Sequence, residues 1–483
     1  MRLVTDYLIV GAGASGLAFT DTLVAEADVE VTIIDRREAP GGHWLQAYPF
    51  VRLHTPSAYY GVNSLALGLD RIDSTGENAG SYERATGDEV SDYFALVAER
   101  LTQTGRVRVL TRHEHVGAGS DGELVRDLDR GVLHDVVAQR KLVDARYLEA
   151  SIPATHRPSF DIADGARVVP INDLPAAAGS APSYSILGSG KTAVDACMWL
   201  LDNDVEPERI RWVRPRDAWF YDRRHFQPLS QVGAIMAGIA LDAEAGAGAA
   251  DLDDLFERLE DSGRLARIDP SWPATMCRST MLSARELSAL RQIDGVVRLG
   301  RVRRIEARRI VLERGEIETV PEVLHVDCTA RGLSSALATP IFQSDRIVPQ
   351  QVRQLSPCLN AAVIGFVEAH WAQDEDKNRL CPPNPYPSGI DDWARMVCRT
   401  WSTERAWASE PELSAWVAGS RLNLLRALPD HASEPSVRAA ASRYLTNVGA
   451  AIERLSALDG SDGPRPSRGA APAGARAVGD RLR

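Results

Sequence analysis

The chain has 483 residues, of which 44% are hydrophobic and 25% are charged, and its net charge is −11. This composition is typical of a globular protein of two or three domains, and it excludes wholesale disorder. Because the overall charge is acidic, we expect no nucleic-acid partner.

The six cysteines are scattered along the chain and form no C-x-x-C motif. We therefore expect reduced, mostly buried thiols and a cytoplasmic protein. No secretory signal follows Met1, and the longest apolar stretch, residues 232–241, is too short to cross a bilayer. The sequence therefore predicts no membrane partner.

The first predicted β-α-β unit ends at Asp35. A buried strand at residues 7–10 leads into Gly11-Ala12-Gly13-Ala14-Ser15-Gly16, and a helix at 17–27 and a strand at 29–34 follow. The three glycines of this G-x-G-x-x-G motif allow a tight turn, close approach of a phosphate and close packing of helix on strand. Asp35 stands where an acid binds the ribose hydroxyls of a dinucleotide. We predict a dinucleotide site here, in preference to a structural glycine turn.

A helix (90–102), a strand (107–110) and a strand meander (117–147) are predicted next. His113-Glu114-His115 could be interpreted as a metal-binding pair of histidines. In an alternating strand, however, the two histidines only share a face, and the sequence shows no third ligand. We therefore predict no metal site.

A second unit of the same layout follows. Its elements are a strand (Tyr184–Leu187), the turn Gly188-Ser189-Gly190-Lys191-Thr192-Ala193, a helix (194–201) and a strand (Ile210–Val213). This strand is followed by Arg214 and Arg216 instead of an acid, and guanidinium groups pair with a 2′-phosphate, so we expect NADP rather than NAD. Two alternatives stay open: the end of a P-loop, which would need glycine in place of Ser185, and a solvated surface pair of arginines.

The rest of the chain carries weaker signals. Residues 229–265 alternate helical and Ala/Gly-rich pieces, 323–330 are strand-like, 362–366 are apolar and 393–456 are mostly helical. The tail 461–483 shows no periodicity and is predicted to be disordered.

Two dinucleotide units in one chain suggest that a reduced nicotinamide passes hydride to a flavin. With Gly41-Gly42-His43-Trp44 and Asp327-Cys328-Thr329-Ala330-Arg331-Gly332, the two loops make the chain resemble the two-dinucleotide-binding-domain flavoproteins. Within them it is similar to the single-component flavin-containing monooxygenases, over roughly residues 5–335. The family motif F-x-G-x-x-x-H ahead of the second loop is not present. No cysteine precedes Cys197, so the disulfide-reductase branch is excluded.

The resemblance implies an α/β fold, with a Rossmann-like doubly wound FAD domain, an inserted smaller NADPH-binding Rossmann-like domain and a mostly helical C-terminal part. The expected segments are 1–155 (first part of the FAD domain), 156–334 (NADPH-binding domain, with a helical insert at about 229–290), 335–460 (completion of the FAD domain and helical region) and 461–483 (disordered tail).

The implied activity is FAD-dependent, NADPH-consuming monooxygenation of a small molecule by O2. The product would arise by N-oxygenation, S-oxygenation or Baeyer–Villiger oxidation through a C4a-(hydro)peroxyflavin. Two alternatives stay open: an NADPH-dependent flavin oxidoreductase without oxygen insertion, and a redox-responsive flavoprotein binding module. The sequence leaves the substrate and the oligomeric state undetermined.

The resemblance also implies site residues. Residues 48–64 are similar to the family segment that passes over the flavin ring, where His54 and Asn63 would be the catalytic hydrogen-bond donors. The alternative for these two side chains is ordinary polar satisfaction within a loop. The implied FAD contacts are Gly11, Ala12, Gly13, Ala14, Ser15, Gly16, Asp35, Arg36, Gly42, His43, Trp44, Arg52, Thr55 and Val116. The implied NADPH contacts are Gly188, Ser189, Gly190, Lys191, Thr192, Arg214 and Arg216.

Overall fold

The computed structural model describes residues 2–119, 122–147, 150–330, 332 and 338–460. The tail 461–483, predicted to be disordered, lies outside these residues, as does Arg331. The strands of the described ranges are β1 (Arg2–Val10), β2 (Val31–Ile34), β3 (Val107–Leu110), β4 (His113–Ala118), β5 (Glu123–Asp127), β6 (Leu133–Asp144), β7 (Asp161–Ile162), β8 (Arg167–Pro170), β9 (Tyr184–Leu187), β10 (Ile210–Val213), β11 (Asp217–Asp222), β12 (Leu265–Arg267), β13 (Ala274–Leu282), β14 (Val296–Val297), β15 (Val302–Glu306), β16 (Arg309–Leu312), β17 (Gly315–Glu318), β18 (Leu324–Asp327) and β19 (Arg346–Ile347).

The helices share the same described ranges and carry most of the C-terminal part. They are α1 (Ala14–Glu26), α2 (Gly87–Gln103), α3 (Leu174–Ala177), α4 (Lys191–Asp202), α5 (Val232–Gly248), α6 (Leu252–Asp261), α7 (Ala284–Leu290), α8 (Pro357–His370), α9 (Asp374–Leu380), α10 (Ile390–Ala408), α11 (Pro411–Gly419) and α12 (Pro435–Gly460).

A mixed sheet of seven strands carries the first glycine loop. Its order is β3-β2-β1-β6-β5-β4, and β19 pairs with the C-terminal end of β6. Strands β3, β2, β1 and β6 are parallel, whereas β4, β5 and the start of β6 form an antiparallel meander. All four residues of β2 are buried, as expected for a parallel strand covered on both faces. The predicted first β-α-β unit and the meander are therefore confirmed.

Helix α8 brings the chain back to this first sheet after the second one is complete. It packs along α1 so closely that a Cβ on Gly365 would lie 2.7 Å from the carbonyl oxygen of Phe19. The apolar residues predicted at 362–366 belong to this helix. Strand β19 joins the same sheet by pairing with β6. Residues beyond 338 therefore contribute both a helix and a strand to the first layer.

The second glycine loop lies in a separate five-stranded sheet. Its order is β14-β10-β9-β18-β8, and every pairing in it is parallel. All residues of β9 and β18 are buried, including the polar Ser185, His325 and Asp327, as expected for central parallel strands covered on both faces. The arrangement β9-α4-β10 is the second predicted β-α-β unit. The α/β class with two Rossmann-like sheets is confirmed.

The segment expected as a helical insert at about 229–290 is only partly helical. Helices α5 and α6 end at Asp261, and strands β12 and β13 follow. Both strands pair with β11 in a three-stranded sheet. The difference has a physical reason: these strands are stabilised by partners distant in sequence, which local composition does not encode. A fourth small sheet, β17-β16-β15-β7, flanks this region.

The region after residue 390 is helical, as predicted. Helix α12 packs along α5, and α10 packs against α12, α6 and β13, so these two helices cover the insert of the second domain, whereas α11 packs against α8. Within the described residues, no helix is both long and apolar enough to cross a membrane.

Candidate functional site

The first glycine loop connects β1 to the N-terminus of α1. Gly11 has a φ of +110°, which L side chains rarely adopt. A Cβ on Gly16 would lie 2.0 Å from the carbonyl oxygen of Gly11, so only glycine permits this packing. Gly13 is the N-cap, and no side chain caps the helix. The first N–H groups of α1 are therefore free to bind an anion.

Asp35 follows β2 and holds this loop in place. Its carboxylate is 4% exposed. Oδ2 accepts a hydrogen bond from the Ala12 N–H at 2.8 Å, and Oδ1 accepts one from the Arg37 N–H at 2.8 Å. Each oxygen keeps a lone pair, so the carboxylate is fixed in orientation and still able to accept from a ribose.

One cavity runs past the loop and reaches the N-terminus of α8. Most of the implied FAD contacts share it: Gly11, Gly13, Ala14, Ser15, Asp35, Arg36, Gly42 and His43. Residues that the sequence did not predict also line it, namely Tyr60, His113, Glu114, His115, Arg146, Pro357 and Tyr386. Val116, another of the implied FAD contacts, is not in this lining, although the three residues before it are. The cavity therefore joins the acid after β2 to residues of the C-terminal part.

The Gly41-Gly42-His43-Trp44 segment closes one side of the cavity. Gly41 and Gly42 have φ values of +136° and +62°. The Gly41 N–H donates to the carbonyl oxygen of Ala12 at 2.9 Å, which holds the segment against the glycine loop. Burial lowers the pKa of His43 to about 4, with a smaller contribution from the nearby Arg37. His43 is therefore a neutral imidazole near pH 7.

Tyr60 is a hydrogen-bond donor that sequence reasoning missed. It is 8% exposed and lines the cavity. Its hydroxyl accepts from Trp44 Nε1 at 2.9 Å, and burial raises the pKa of the phenol well above its ordinary value. The hydroxyl keeps its proton, and no described residue accepts it. The only signal in the sequence was its position in the segment 48–64.

The two predicted catalytic residues, His54 and Asn63, lie in different surroundings. His54 is partly buried, and burial lowers its pKa well below the ordinary value, assisted by Lys191, Arg223 and Arg84. Asn63 points elsewhere: its Oδ1 accepts from Ser420 Oγ at 3.0 Å and from the Arg421 N–H at 2.9 Å.

The other two predicted ring contacts also have partners outside the cavity. Arg52 is exposed, and its Nη1 donates to the carbonyl oxygen of Arg84 at 3.1 Å. Thr55 hydrogen-bonds with the buried Tyr59 hydroxyl. The contacts of Arg52, Thr55 and Asn63 match the alternative interpretation, in which the polar side chains of this loop make structural hydrogen bonds.

The second glycine loop repeats the geometry of the first. Gly188 has a φ of +132°, and a Cβ there would lie 2.6 Å from the carbonyl oxygen of Cys328. Gly190 is the N-cap of α4, again with no side-chain cap. Lys191 pairs with Asp195 one turn later, and the Tyr48 hydroxyl donates to the same carboxylate. Tyr48 belongs to the N-terminal segment, so this contact ties the two glycine-loop regions together.

The two predicted phosphate-binding arginines lie in different surroundings. Arg214 is 3% exposed, pairs with Asp217 at 3.2 Å and lies over the Trp212 ring at 5.0 Å. It is therefore neither a solvated surface arginine nor accessible to a phosphate without rearrangement. Much of the Arg216 side chain is exposed, but partial desolvation of its guanidinium, together with the nearby Arg278 and Arg301, lowers its pKa.

Arg216 thus belongs to a cationic cluster beyond the end of β10. Arg278 lies on β13 and Arg301 directly before β15, so three separate elements contribute one guanidinium each. Mutual repulsion of this kind is relieved by an anion. Sequence reasoning missed Arg278 and Arg301 because nothing in their local sequence sets them apart from the many other arginines.

Comparisons with known proteins agree with a dinucleotide-binding unit at the N-terminus. Residues 9–60 match the family described as NAD(P)-binding Rossmann-like domain. The chain is 42% identical over 458 residues to the uncharacterized proteins Rv2000 of Mycobacterium tuberculosis and Mb2023 of Mycobacterium bovis. The matched region covers 94% of this chain and 84% of each relative.

Several solved structures show a partial likeness. Oxidized steroid monooxygenase bound to NADP is 13% identical, with a TM-score of 0.48 over 76% of this chain and 85% of that chain. ε-Caprolactone-bound cyclohexanone monooxygenase is 14% identical, with a TM-score of 0.47 over 78% and 88%. Bacillithiol disulfide reductase Bdr from Staphylococcus aureus is 9% identical, with a TM-score of 0.46 over 76% and 97%. At these TM-scores, the similarity adds nothing about the fold or function of this chain to what its own sheets show.

Proposed function

Since this chain belongs to the family of the uncharacterized mycobacterial proteins Rv2000 and Mb2023, we propose its function from the site that it carries itself. The function is that of an FAD-dependent, NADPH-consuming oxidoreductase, and specifically a monooxygenase that transfers one oxygen atom from O2 to a small molecule. The observation that carries the proposal is the single cavity joining the first glycine loop, Asp35 and the N-terminus of α8.

The residues of this cavity fit FAD. Gly13 and Gly42 are so close that a Cβ on Gly13 would lie 3.4 Å from the Gly42 Cα, and their lack of side chains leaves room for a pyrophosphate on the N-terminus of α1. At the other end, Pro357, the first residue of α8, lines the cavity, and no side chain caps this helix. The uncapped N-terminus of α8 suits the carbonyl edge of a flavin ring.

The second loop and the arginine cluster support NADPH as the electron donor. The N-terminus of α4 would hold the pyrophosphate, and Arg216, with Arg278 and Arg301, would hold the 2′-phosphate. The Tyr48–Asp195 hydrogen bond sets the distance between the loops. We propose residues 1–155 and 335–460 as the FAD domain, because β19 and α8 return to the first sheet, and residues 156–334 as the NADPH domain.

FAD, when bound, would supply hydride acceptance and the reaction of reduced flavin with oxygen. The residues of this chain would bind the cofactors, orient the substrate and exclude water from the site. Tyr60 and Tyr386 line the cavity where Pro357 begins α8, and the neutral Tyr60 hydroxyl can donate a hydrogen bond to an oxygen atom that develops negative charge there. Burial and the nearby Lys191 of the second loop keep the pKa of His54 well below its ordinary value, so its neutral ring can donate one hydrogen bond and accept another.

Thiol chemistry is a poor alternative in this site. Cys358 directly follows the lining residue Pro357: its Sγ accepts from the Gly61 N–H at 3.3 Å, and burial raises its pKa to about 12. Such a cysteine remains a protonated thiol and is not a redox nucleophile. The monooxygenase assignment within the oxidoreductases rests on the motif resemblance.

The proposal is tested with the full-length protein in three steps. Purified protein is first examined for bound flavin by its absorbance and by release of the cofactor. Excess NADPH is then added without oxygen, and reduction is followed by bleaching of the flavin. Air is finally admitted with a panel of amines, thioethers and ketones, and isotope-labelled O2 shows whether oxygen enters a product.

We expect a flavin-containing protein that NADPH reduces and that yields a labelled product. Stoichiometric peroxide without any oxygenated product would refute the monooxygenase and favour the reductase. Bound flavin that NADPH does not reduce would leave only the binding module. Absence of flavin binding, even with added FAD, would refute the whole proposal.

A further inference from the structure

We propose that His113, Asp127 and His134 form a Zn²⁺ site at one end of the β4-β5-β6 meander. One ligand atom from each side chain lies within 4.8 Å of the other two. His113 and Asp127 are register partners on neighbouring strands, and the two imidazole rings are stacked with centroids 6.2 Å apart. Zn²⁺ prefers histidine nitrogen and carboxylate oxygen, and a fourth tetrahedral position would be left for water.

His113 is oriented as a metal ligand. Its Nδ1 lies 2.7 Å from the carbonyl oxygen of Thr111. Because a carbonyl can only accept, Nδ1 carries the proton and Nε2 presents its lone pair to the cluster. A backbone carbonyl that fixes the tautomer in this way is a common outer partner of metal-bound histidine.

Asp127 is held as a fixed carboxylate. It is 5% exposed, and its Oδ1 accepts from the N–H groups of Asp129 and Arg130 at 2.9 and 3.0 Å. These bonds leave Oδ2 as the ligand atom. The Arg130 guanidinium approaches Oδ2 only to 3.9 Å, and its side chain is 81% exposed, so water screens this competing cation.

His134 completes the set from the start of β6. It is partly buried, and within the part of the chain that the structure describes no group hydrogen-bonds with its ring. Two histidine rings and a carboxylate thus converge here, and the one cation recorded beside the carboxylate is the exposed Arg130. The neighbouring His115 is already engaged by Glu123 at 2.7 Å, so it is not counted as a ligand.

The position of the proposed site predicts a structural role for the bound ion. His113 also lines the cavity beside Asp35, whereas Asp127 and His134 lie on the next two strands. A bound Zn²⁺ would therefore fasten all three strands of the meander at the ribose end of the cavity. The proposed Zn²⁺ site does not depend on the proposed function, because neither flavin nor NADPH is needed to form it.

The test uses full-length protein purified without a histidine tag and stripped of metal with a chelator. Zn²⁺ binding is measured by calorimetry, and Co²⁺ is used as a spectroscopic probe because tetrahedral Co²⁺ absorbs strongly in the visible. The variants are His134→Ala and Asp127→Asn. His431→Ala is the matched control, since His431 pairs with Glu434 on a different surface.

We expect one Zn²⁺ per chain for wild type and for His431→Ala, with tetrahedral Co²⁺ bands. In His134→Ala the affinity should fall by at least about 100-fold and the bands should vanish. Asp127→Asn should weaken binding in the same direction, with circular dichroism showing that both variants remain folded. No Zn²⁺ binding by wild type, or equal binding and equal spectra in wild type and His134→Ala, would overturn the proposal.

Discussion

Arg214→Ala should lower the stability of the protein, whereas Arg216→Ala should weaken its preference for NADPH, although the two arginines are separated by one residue. Arg214 is 3% exposed and paired with Asp217, so its loss removes one partner of a buried ion pair. Asp217 keeps Arg298 at 2.8 Å. We therefore expect the free energy of unfolding to fall by about 3 kcal/mol, the lower end for such a deletion, with little change in the preference for NADPH over NADH.

Arg216→Ala should leave stability nearly unchanged, because Arg216 is exposed and its contact is with the Met276 sulfur at 3.7 Å. A charge-assisted hydrogen bond to a phosphate contributes about 1.5–3 kcal/mol. The Michaelis constant for NADPH should therefore rise by about 10- to 150-fold, while that for NADH, which lacks the 2′-phosphate, stays within about twofold. Arg278→Ala and Arg301→Ala should change the same ratio in the same direction.

The assay combines urea unfolding with anaerobic flavin reduction at varied NADPH and NADH. Arg224→Ala is the control, because the Arg224 side chain is 71% exposed and its ion pair is with the nearby Asp222. If Arg214→Ala proved as stable as wild type but lost NADPH selectivity, the structural role assigned to Arg214 would be refuted. Equal effects of Arg216→Ala on both nucleotides would remove Arg216 from the phosphate site.

Gly16→Ala should abolish cofactor retention and lower the melting temperature, because the new Cβ would lie 2.0 Å from the Gly11 carbonyl oxygen. Burial lowers the pKa of His325 to about 4 from 6.5. Between these two pKa values the unfolded state binds a proton at His325 that the folded state does not. The free energy of unfolding should therefore fall as pH drops from 6.5 towards 4, by up to roughly 3 kcal/mol from this residue. His325→Gln should flatten this pH dependence of the free energy of unfolding, measured with urea. Tyr60→Phe should slow oxygenation by about 100-fold if its hydroxyl donates to the reacting oxygen. Asn63→Ala should lower stability by about 1–2 kcal/mol through the lost loop contacts without slowing flavin reduction at saturating NADPH.

Matched variants separate these effects from general damage. Gly449→Ala lies in α12 with nothing within 4 Å of the new Cβ, and should stabilise the protein by about 0.5–1 kcal/mol. Full flavin content in Gly16→Ala would contradict the packing argument. An unchanged pH profile in His325→Gln would show that other groups carry the acid sensitivity. If Asn63→Ala slowed reduction while Tyr60→Phe left oxygenation intact, the roles assigned to them would have to be exchanged.

Local sequence patterns were enough to predict the two β-α-β units, and they led to the proposal that both glycine loops bind dinucleotides. Apolar strand runs, glycine spacing and the residue after each second strand are local properties, and strands β9 and β10 lie where the pattern predicted them. The helical C-terminal part was readable for the same reason. What local patterns could not supply was the strand β13, whose partner β11 lies some distance back along the chain.

Which side chains contact one another became visible with the three-dimensional fold. Arg214 and Arg216 look alike in the sequence, but burial against Asp217 separates them. Asn63 looked like a donor to the ring until Ser420 and Arg421 were brought to it from the C-terminal part. The end of the cavity at Tyr60, Pro357 and Tyr386 comes from segments that are separate in the chain, and the cluster of His113, Asp127 and His134 comes from the register of three consecutive strands. Local patterns do not show such sites, because a carboxylate or imidazole acquires its chemistry from the neighbours that folding places around it.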